Sequence, residues 1–262
     1  SLRRNLGVDL NNEGLVYKSA GNYKQALDRI GQAVDVAREV ANRRDEAIAL
    51  SNRALINRIL GRFDQAVGDY ELALSIYGQE TFKEGEASCH LGLGKLFEVR
   101  DLNYQLAFEH YSQALDAYRG LDNPGYTAEA LNQIGRVLRL GIDPERTSRD
   151  LVFEPEGPVF VAMPPDQALT ESRAAYEEAL ELGRLTGRQE VVWSALQGLG
   201  FALWQEGKLE EALARYQEAI DTVVGIWGGS DSELMADYLK DKEDLFTQAI
   251  EICAALYTAT QN

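Results

Sequence analysis

The chain is poor in the residues that carry out most protein chemistry. Its 262 residues include two cysteines, two histidines and two methionines. The two cysteines, Cys89 and Cys253, lie far apart in sequence, a usage typical of reduced thiols in a cytoplasmic protein rather than of a disulfide framework. Neither histidine belongs to a set with metal-ligand spacing, so we expect no metal site and interpret Cys89-His90 as a packing element.

The sequence also lacks the motifs of common enzyme sites. It has no phosphate loop, no glycine-rich dinucleotide turn after a strand and no serine nucleophile elbow. Carboxylates are abundant, with 42 Asp and Glu residues. On amphipathic helices, however, carboxylates usually form the solvated face. We therefore predict no catalytic residues, no cofactor and no enzymatic activity.

Charge and hydropathy restrict the partners. The net charge of −16 argues against a nucleic-acid surface and against an anionic membrane as the ligand. No apolar run reaches the length of a membrane span, and no secretory signal opens the sequence. Because the first residue is Ser rather than Met, we interpret the sequence as a piece excised from a longer protein.

One phrase returns five times along the chain, with small, large and small residues at fixed spacing. Its final alanines are spaced 40, 41, 65 and 40 residues apart. A small residue precedes each copy, at Gly14, Ala54, Gly94, Gly135 and Gly200. The copies are Ala26-x3-Ile30-x2-Ala33, Ala66-x3-Tyr70-x2-Ala73, Ala107-x3-Tyr111-x2-Ala114, Ser172-x3-Tyr176-x2-Ala179 and Ala212-x3-Tyr216-x2-Ala219.

The phrase places two small side chains and one large one on a single face of a helix. Small residues let a neighbouring helix approach closely, and the aromatic ring fills the gap between successive hairpins. A single helical hairpin cannot bury such a face alone, so a period of this size predicts stacked supersecondary units.

The phrases resemble tetratricopeptide repeats. The match is best at Gly14-Leu15-Val16-Tyr17 with Gly21-Asn22-Tyr23-Lys24-Gln25-Ala26-Leu27, and at Leu199-Gly200 with Gly207-Lys208-Leu209-Glu210-Glu211-Ala212-Leu213. The usual unit of that family has about 34 residues. The longer period here is similar to that of kinesin light chains and bacterial CHAT-type proteins, which are caspase-like. The resemblance implies an all-α, right-handed superhelical solenoid of five helical hairpins, whose first helices line a concave groove.

We expect the repeats at about residues 5–41, 43–78, 82–120, 126–186 and 188–225, within one array spanning 1–226. Repeat four is unusual, because Gly135 and Tyr176 are 41 residues apart where 16 separate Ala54 and Tyr70. The excess predicts an insertion at about 142–165, where five of the six prolines fall. Its two short β-prone segments indicate a small β-hairpin-like flap.

The last segment, 230–262, lacks the phrase. We expect it to form a capping helix from about 232 to 258, because solenoids need a polar terminal cap. It also resembles the segment that links the repeats of CHAT-type proteins to their peptidase domain, which implies a linker helix as the alternative. The peptidase itself is not in this sequence.

The resemblance implies that the chain binds a protein or peptide in its groove, as an adaptor or scaffold. Two alternatives stay open: a regulatory region excised from a CHAT-type peptidase, and a module for self-assembly into a homo-oligomer.

In the long-period arrays that the chain resembles, an asparagine ahead of the Leu-Gly phrase holds a peptide backbone. The matching places are Asn12 and Asn52, then Gly92, Gln133 and Gly198. Basic residues follow about one turn later and favour an acidic or C-terminal-carboxylate ligand, unless they merely offset carboxylates such as Glu98 and Glu129. The predicted groove residues are Asn12, Asn52, Arg58, Lys95, Gln133, Arg136 and Arg139.

Two charges replace the usual leucine of the phrase, Glu13 in repeat one and Arg53 in repeat two. They lie one repeat apart, so either they form an ion pair between adjacent first helices or they are unrelated, partly exposed charges.

Overall fold

The computed structural model describes residues 2–100, 102–140, 163–227 and 242–260. Every regular element in these ranges is a helix. The eleven helices are α1 (Leu2–Ser19), α2 (Tyr23–Glu39), α3 (Arg43–Ile59), α4 (Phe63–Gln79), α5 (Lys83–Arg100), α6 (Tyr104–Gly120), α7 (Pro124–Leu140), α8 (Pro165–Thr186), α9 (Gln189–Gln205), α10 (Leu209–Trp227) and α11 (Glu243–Thr260).

The chain divides into two compact units, and among the described residues the division falls between Asp122 and Asn123. In the first unit α1 packs on α2, α3 on α4 and α5 on α6. The first helices α1, α3 and α5 also contact one another in sequence order. In the second unit α7 packs on α8, α9 on α10, and α10 on α11, while α7 also contacts α9.

Left-handed glycines end three of the first helices. Gly21, Gly61 and Gly207 have φ values of 74°, 70° and 76°, which a side chain would disfavour. After Gly21, the amide of Asn22 donates to the carbonyl of Tyr17 at 2.8 Å and closes the last turn of α1. The tight turn brings α2 back along α1, as the Gly-Asn sequence predicts.

The repeated phrase forms the core, as the sequence predicts. No member of any of its five copies is more than 3% exposed. In four of the five copies, the large residue packs on the glycine of its own first helix. A Cβ atom added at Gly94 would lie 2.5 Å from the Tyr111 ring, and one at Gly200 would lie 2.7 Å from the Tyr216 ring. Glycine is therefore required for these helices to approach so closely.

Several expectations fall wholly or partly outside the described residues. The predicted flap at 142–165 lies there except for its last three residues, and α8 begins at Pro165. The final helix was expected from about 232 to 258, and its described part is α11, which starts at Glu243.

Candidate binding face of the first helices

The predicted groove residues all lie on first helices. In each unit we call first-helix face the surface of the first helices that carries the predicted residues. These are Asn12, Asn52, Arg58 and Lys95 in the first unit, and Gln133, Arg136 and Arg139 in the second. The fold places these residues at equivalent steps of successive helices, and the side chains differ in what they contact.

The two predicted asparagines have different environments. Asn12 is exposed, whereas Asn52 is half-buried. The Asn52 Nδ2 donates to the Oδ1 of Asn11 at 2.9 Å. This bond joins α1 to α3, so Asn52 connects two hairpins, and Asn12 offers its amide to solvent.

Sequence reasoning missed a set of amides one residue ahead of the predicted positions. Asn11 is one member, and Asn132 and Gln197 are the others. Asn132 Nδ2 donates to Ser194 Oγ at 3.0 Å, and Gln197 Nε2 donates to Gln248 Oε1 at 3.1 Å. Each bond joins a first helix to the helix that occupies the next equivalent place. Their period along the sequence could have identified them.

The asparagine pattern fades because tyrosines fill its place. At Gly92 an added Cβ would lie 2.5 Å from Cζ and 2.6 Å from the hydroxyl oxygen of Tyr70, which belongs to the preceding second helix. Gly198 has the same relation to Tyr176. The residue equivalent to these tyrosines in the first hairpin is the shorter Ile30. A side chain at Asn52 is therefore accommodated, whereas Gly92 and Gly198 must lack one.

Arg58 lies beside the buried Tyr70. Its Nε is buried and donates no hydrogen bond within the described residues. Burial raises the pKa of Tyr70 to about 12, against a smaller opposing effect of Arg58, which hydrogen-bonds the phenol. Tyr70 therefore stays a neutral phenol, and part of the Arg58 guanidinium has no acceptor.

Arg139 is the most enclosed basic group of the face, at 9% exposure. Its Cζ lies 4.9 Å from the centroid of the Phe201 ring, in a cation–π contact between α7 and α9. Its Nε also donates no hydrogen bond within the described part of the chain. Nearby, Arg136 Nε donates to Gln133 Oε1 at 3.2 Å. Lys95, the equivalent of Arg136 in the first unit, is half-buried.

Glu13 and Arg53 do not pair with each other. Arg29 Nε lies 3.4 Å from a carboxylate oxygen of Glu13. Arg53 forms a two-pronged pair with Asp69, with distances of 2.8 and 2.6 Å. Arg29 and Asp69 are equivalent residues, one before the large residue of the phrase. Both charges are therefore neutralised by the second helix of their own hairpin. In the first hairpin the first helix carries the acidic residue, and in the second hairpin it carries the basic one.

The two histidines meet inside the third hairpin. Their Nδ1 atoms lie 3.0 Å apart, and Phe97 stacks on His110 with a centroid separation of 5.4 Å. Burial lowers the pKa of His90, and burial together with His90 lowers the pKa of His110 to about 4. Cys89 is buried, which raises its pKa to about 12. Among the described residues no group of three or more His, Cys, Asp or Glu could hold a metal ion.

None of the helices in the described ranges has the length and apolarity that a membrane crossing requires.

Solved structures with this arrangement of helices include BtubC (BKLC) from P. vanneervenii, with a TM-score of 0.66 and 18% identity over 88% of this chain and 84% of that one. The nearly identical TPR-like repeats of a Podosopora anserina protein of the kinesin light chain type superpose with a TM-score of 0.59 and 13% identity, over 87% and 99% of the two chains. A Rap protein complexed with competence and sporulation factor superposes with a TM-score of 0.62 and 17% identity, over 95% of this chain and 70% of that one. At these identities the likeness shows the fold alone.

Among curated proteins no sequence matches this chain. None of the comparisons supports the resemblance to CHAT-type proteins, which stays a prediction. The family model of the tetratricopeptide repeat matches residues 8–79 and 45–119. This stretch holds the phrases of the first three hairpins. The chain therefore carries tetratricopeptide repeats, in residues 8–119, and its described residues have a helical fold like that of kinesin light chain repeats.

Proposed function

We propose that the chain is a non-enzymatic protein-binding module, a scaffold or adaptor that holds a peptide segment of a partner along the first-helix face. Tetratricopeptide repeats generally mediate contacts between proteins, and residues 8–119 match that family. One structural neighbour was solved in complex with competence and sporulation factor. We extend the repeats to the whole array of five hairpins, with α11 as its cap.

The observation that carries the proposal is the state of Arg139. A guanidinium has five N–H donors and no acceptor, so it needs oxygen atoms around it. The Nε of Arg139 is buried and has no acceptor within the described residues. A buried N–H without an acceptor costs about 1–3 kcal/mol. Because protein atoms cover this Nε, the guanidinium has to shift to meet a ligand oxygen, and the new hydrogen bond would recover that cost. Arg58, its equivalent in the first unit, has the same unsatisfied Nε.

The nearby carboxylates have other partners. Arg188 donates to Glu129 at 2.7 Å and also lies 4.8 Å from the Tyr126 ring centroid. Glu98 accepts from the Tyr111 hydroxyl at 3.0 Å. Each of these carboxylates therefore has at least one partner outside the basic residues of the face. An acidic side chain or a C-terminal carboxylate of the peptide would fit the arginines best, because carboxylates accept two-pronged bonds from Arg.

Selection from a random peptide library with free C-termini tests the proposal. We expect acidic sequences to be enriched on the chain and the enrichment to be lost with Arg139→Gln. Arg215→Gln, on the second helix α10, is the matched control and should select as the unaltered chain does. If Arg139→Gln enriches the same acidic sequences with the same affinity, Arg139 does not hold the ligand and the proposed face is wrong.

A further inference from the structure

A cleft of about 380 Å³ opens between the second helices α2 and α4, with α3 as its floor. It lies within the first unit, and none of its lining residues belongs to the first-helix face. The volume is near the lower end of that of small-molecule sites, about 300–1,000 Å³. A ligand of the size of an amino acid therefore fits the cleft, and its binding would be independent of the proposed peptide site.

The floor of the cleft is polar where the equivalent surface of later hairpins is apolar. Arg53 and Asn57 form this floor. Their equivalents in the third, fourth and fifth hairpins are Leu93, Phe97, Ile134, Leu138, Leu199 and Leu203. Burying polar groups in place of apolar ones lowers the stability of a fold unless each is hydrogen-bonded. The packing of hairpins therefore does not require a polar floor.

One polar group of the floor is unsatisfied. Asn57 is 4% exposed, and its Oδ1 accepts no hydrogen bond within the described residues. Its Nδ2 lies 3.5 Å from Asp69 Oδ2, which also accepts from Arg53 Nε at 2.8 Å. Among the described residues Asp69 Oδ1 accepts from Arg53 Nη2 alone, at 2.6 Å. Since a carboxylate offers about four acceptor sites, Asp69 can accept one more hydrogen bond.

Two glycines keep the walls of the cleft open. Gly31 lies in the middle of α2 and Gly68 in α4, and a Cβ atom added at either would meet nothing within 4 Å. Glycine in the interior of a helix destabilises it relative to alanine. In the described helices the other glycines with such open surroundings, Gly120 and Gly225, lie in the last turn. Packing gives no reason for Gly31 and Gly68, whereas access to the cleft does.

The mouth of the cleft carries a cation and an amide that the protein does not use. Arg62 and Gln65 are exposed, and neither side chain forms an ion pair or a hydrogen bond within the described ranges. Arg62 offers the fork of N–H donors that binds a carboxylate through two bonds. Leu27 is half-buried and supplies the apolar part of the lining.

The charges around the cleft balance. Arg53, Arg62 and Asp69 line it, and Asp35 adds a second negative charge close to Arg53. A ligand that carries both signs and no net charge matches this arrangement better than an anion or a cation does. We propose that the cleft binds a free α-amino acid with an apolar side chain.

Each part of such a ligand has a partner in the cleft. The carboxylate accepts two bonds from Arg62, and the ammonium group donates to Asp69 Oδ1. Protein atoms cover Asn57 Oδ1, so the Asn57 amide has to turn before it accepts a second bond from the ammonium group. The apolar side chain packs on Leu27, in the space that Gly31 leaves open.

Isothermal titration calorimetry with small ligands tests the proposal. L-leucine carries all three groups, L-leucinamide lacks the carboxylate, and isocaproate lacks the ammonium group. We expect L-leucine to bind, and each of the other two to bind at least about tenfold more weakly, because each loses hydrogen bonds between charged groups.

Removing the cation of the mouth separates the groups of the ligand. Arg62→Gln should weaken the binding of L-leucine about tenfold and leave that of L-leucinamide unchanged, because the carboxylate alone uses Arg62. Lys24→Gln removes the same charge from α2 outside the cleft, and as the control it should bind L-leucine as the unaltered chain does.

Filling the cleft from α2 gives a second, independent test. Gly31→Gln should abolish the binding of L-leucine and at the same time raise the melting temperature, since glutamine favours a helix more than glycine does. A glycine needed for packing would lower the melting temperature on this change. Ala174→Gln, at an exposed alanine of α8, is the control and should keep the binding.

Three results would overturn the proposal. No binding of L-leucine at millimolar concentration is the first. Binding that Arg62→Gln or Gly31→Gln leaves unchanged is the second. The third is tighter binding of N-acetyl-L-leucine than of L-leucine. The acetyl group removes the ammonium charge and makes the ligand a copy of a peptide C-terminus, so this result would make a C-terminal segment the occupant.

Discussion

The second hairpin, α3 with α4, and the third, α5 with α6, carry the same phrase but use its tyrosine differently. Tyr70 reaches out of its hairpin to Gly92 on the next first helix. Tyr111 lies over Gly94 of its own hairpin and donates to Glu98 at 3.0 Å. The phrase thus fixes that a large side chain is buried, and the glycines around that side chain decide which first helices it lies against. Tyr176 lies against both, over Gly135 of its own hairpin and Gly198 of the next.

The residue just before the tyrosine differs as well. In the second hairpin it is Asp69, held by Arg53 through two bonds. In the third it is His110, held by His90 at 3.0 Å. Equivalent positions therefore hold a pair of fixed opposite charges in one hairpin and a pair that titrates in the next.

The largest effect we expect comes from exchanging the two ways of joining hairpins. Gly92→Asn places at the third hairpin the residue that the second has at Asn52, and its Cβ would collide with Tyr70. We expect a loss of about 3 kcal/mol in the free energy of unfolding, measured in urea. Adding Tyr70→Ile, the residue of the first hairpin, should restore part of it.

Gly68→Asn is the control for that exchange, since an added Cβ there meets nothing within 4 Å. Gly68→Asn should therefore lower the free energy of unfolding much less than Gly92→Asn does. A double variant no more stable than Gly92→Asn alone would mean that Tyr70 is not the obstacle.

A smaller effect should follow from removing the fixed charges of the second hairpin. Arg53→Ile leaves Asp69 without its two-pronged partner and should cost about 1–2 kcal/mol, since Arg53 is partly exposed and water screens the pair. Arg53→Ile with Asp69→Ala copies the equivalent pair Ile134 and Ala175 and should be more stable than the single change. A double-mutant cycle that shows no coupling would contradict this account of the pair.

The histidine pair of the third hairpin should make the stability of the chain depend on pH. His110 is neutral in the folded chain, with a pKa lowered to about 4, whereas an unfolded histidine has a pKa of about 6.5. The unfolded chain therefore binds more protons between these values, so stability is complete above about pH 6.5 and falls as the pH drops towards 4. Melting temperatures across this range should show the loss.

His110→Gln should flatten the histidine part of that pH profile. Equal slopes in the chain and in His110→Gln would show that the histidine pair is not the group that titrates.

The smallest effect should come from the pair of the first hairpin. The side chains of Arg29 and Glu13 are 38% and 56% exposed, against 30% and 11% for Arg53 and Asp69. Exposed pairs contribute little, so Glu13→Gln should change the free energy of unfolding by at most about 0.5 kcal/mol. A loss as large as that of Arg53→Ile would mean that exposure does not separate the two pairs.

The sequence was sufficient for the core because the phrase is a pattern of volumes, and volumes determine which helices can approach. It predicted for that reason that the small and large residues of all five copies are buried between helices. The whole right-handed array of five hairpins with a cap is still a prediction, since the repeat family matches residues 8–119.

The site was less predictable, because it depends on which of two neighbouring amides faces the next helix. The assignment of Asn52 to a ligand stays a prediction, and in the structure its Nδ2 donates to the Oδ1 of Asn11. The partners of Glu13 and Arg53 were sought one repeat away. Each partner lies 16 residues later in the sequence, on the second helix of the same hairpin. Such choices depend on side-chain geometry that residue spacing does not contain.

The reach of Tyr70 into the following hairpin limits how such a protein can change its length. If the second hairpin were deleted as a unit, Ile30 would meet Gly92, and the volume of a phenol ring would be left empty. If it were duplicated, Tyr70 would meet Asn52 and collide with it. The hairpins are therefore not interchangeable parts. A viable gain or loss of repeats would need its boundaries inside hairpins, so that each tyrosine moves together with the glycine that receives it.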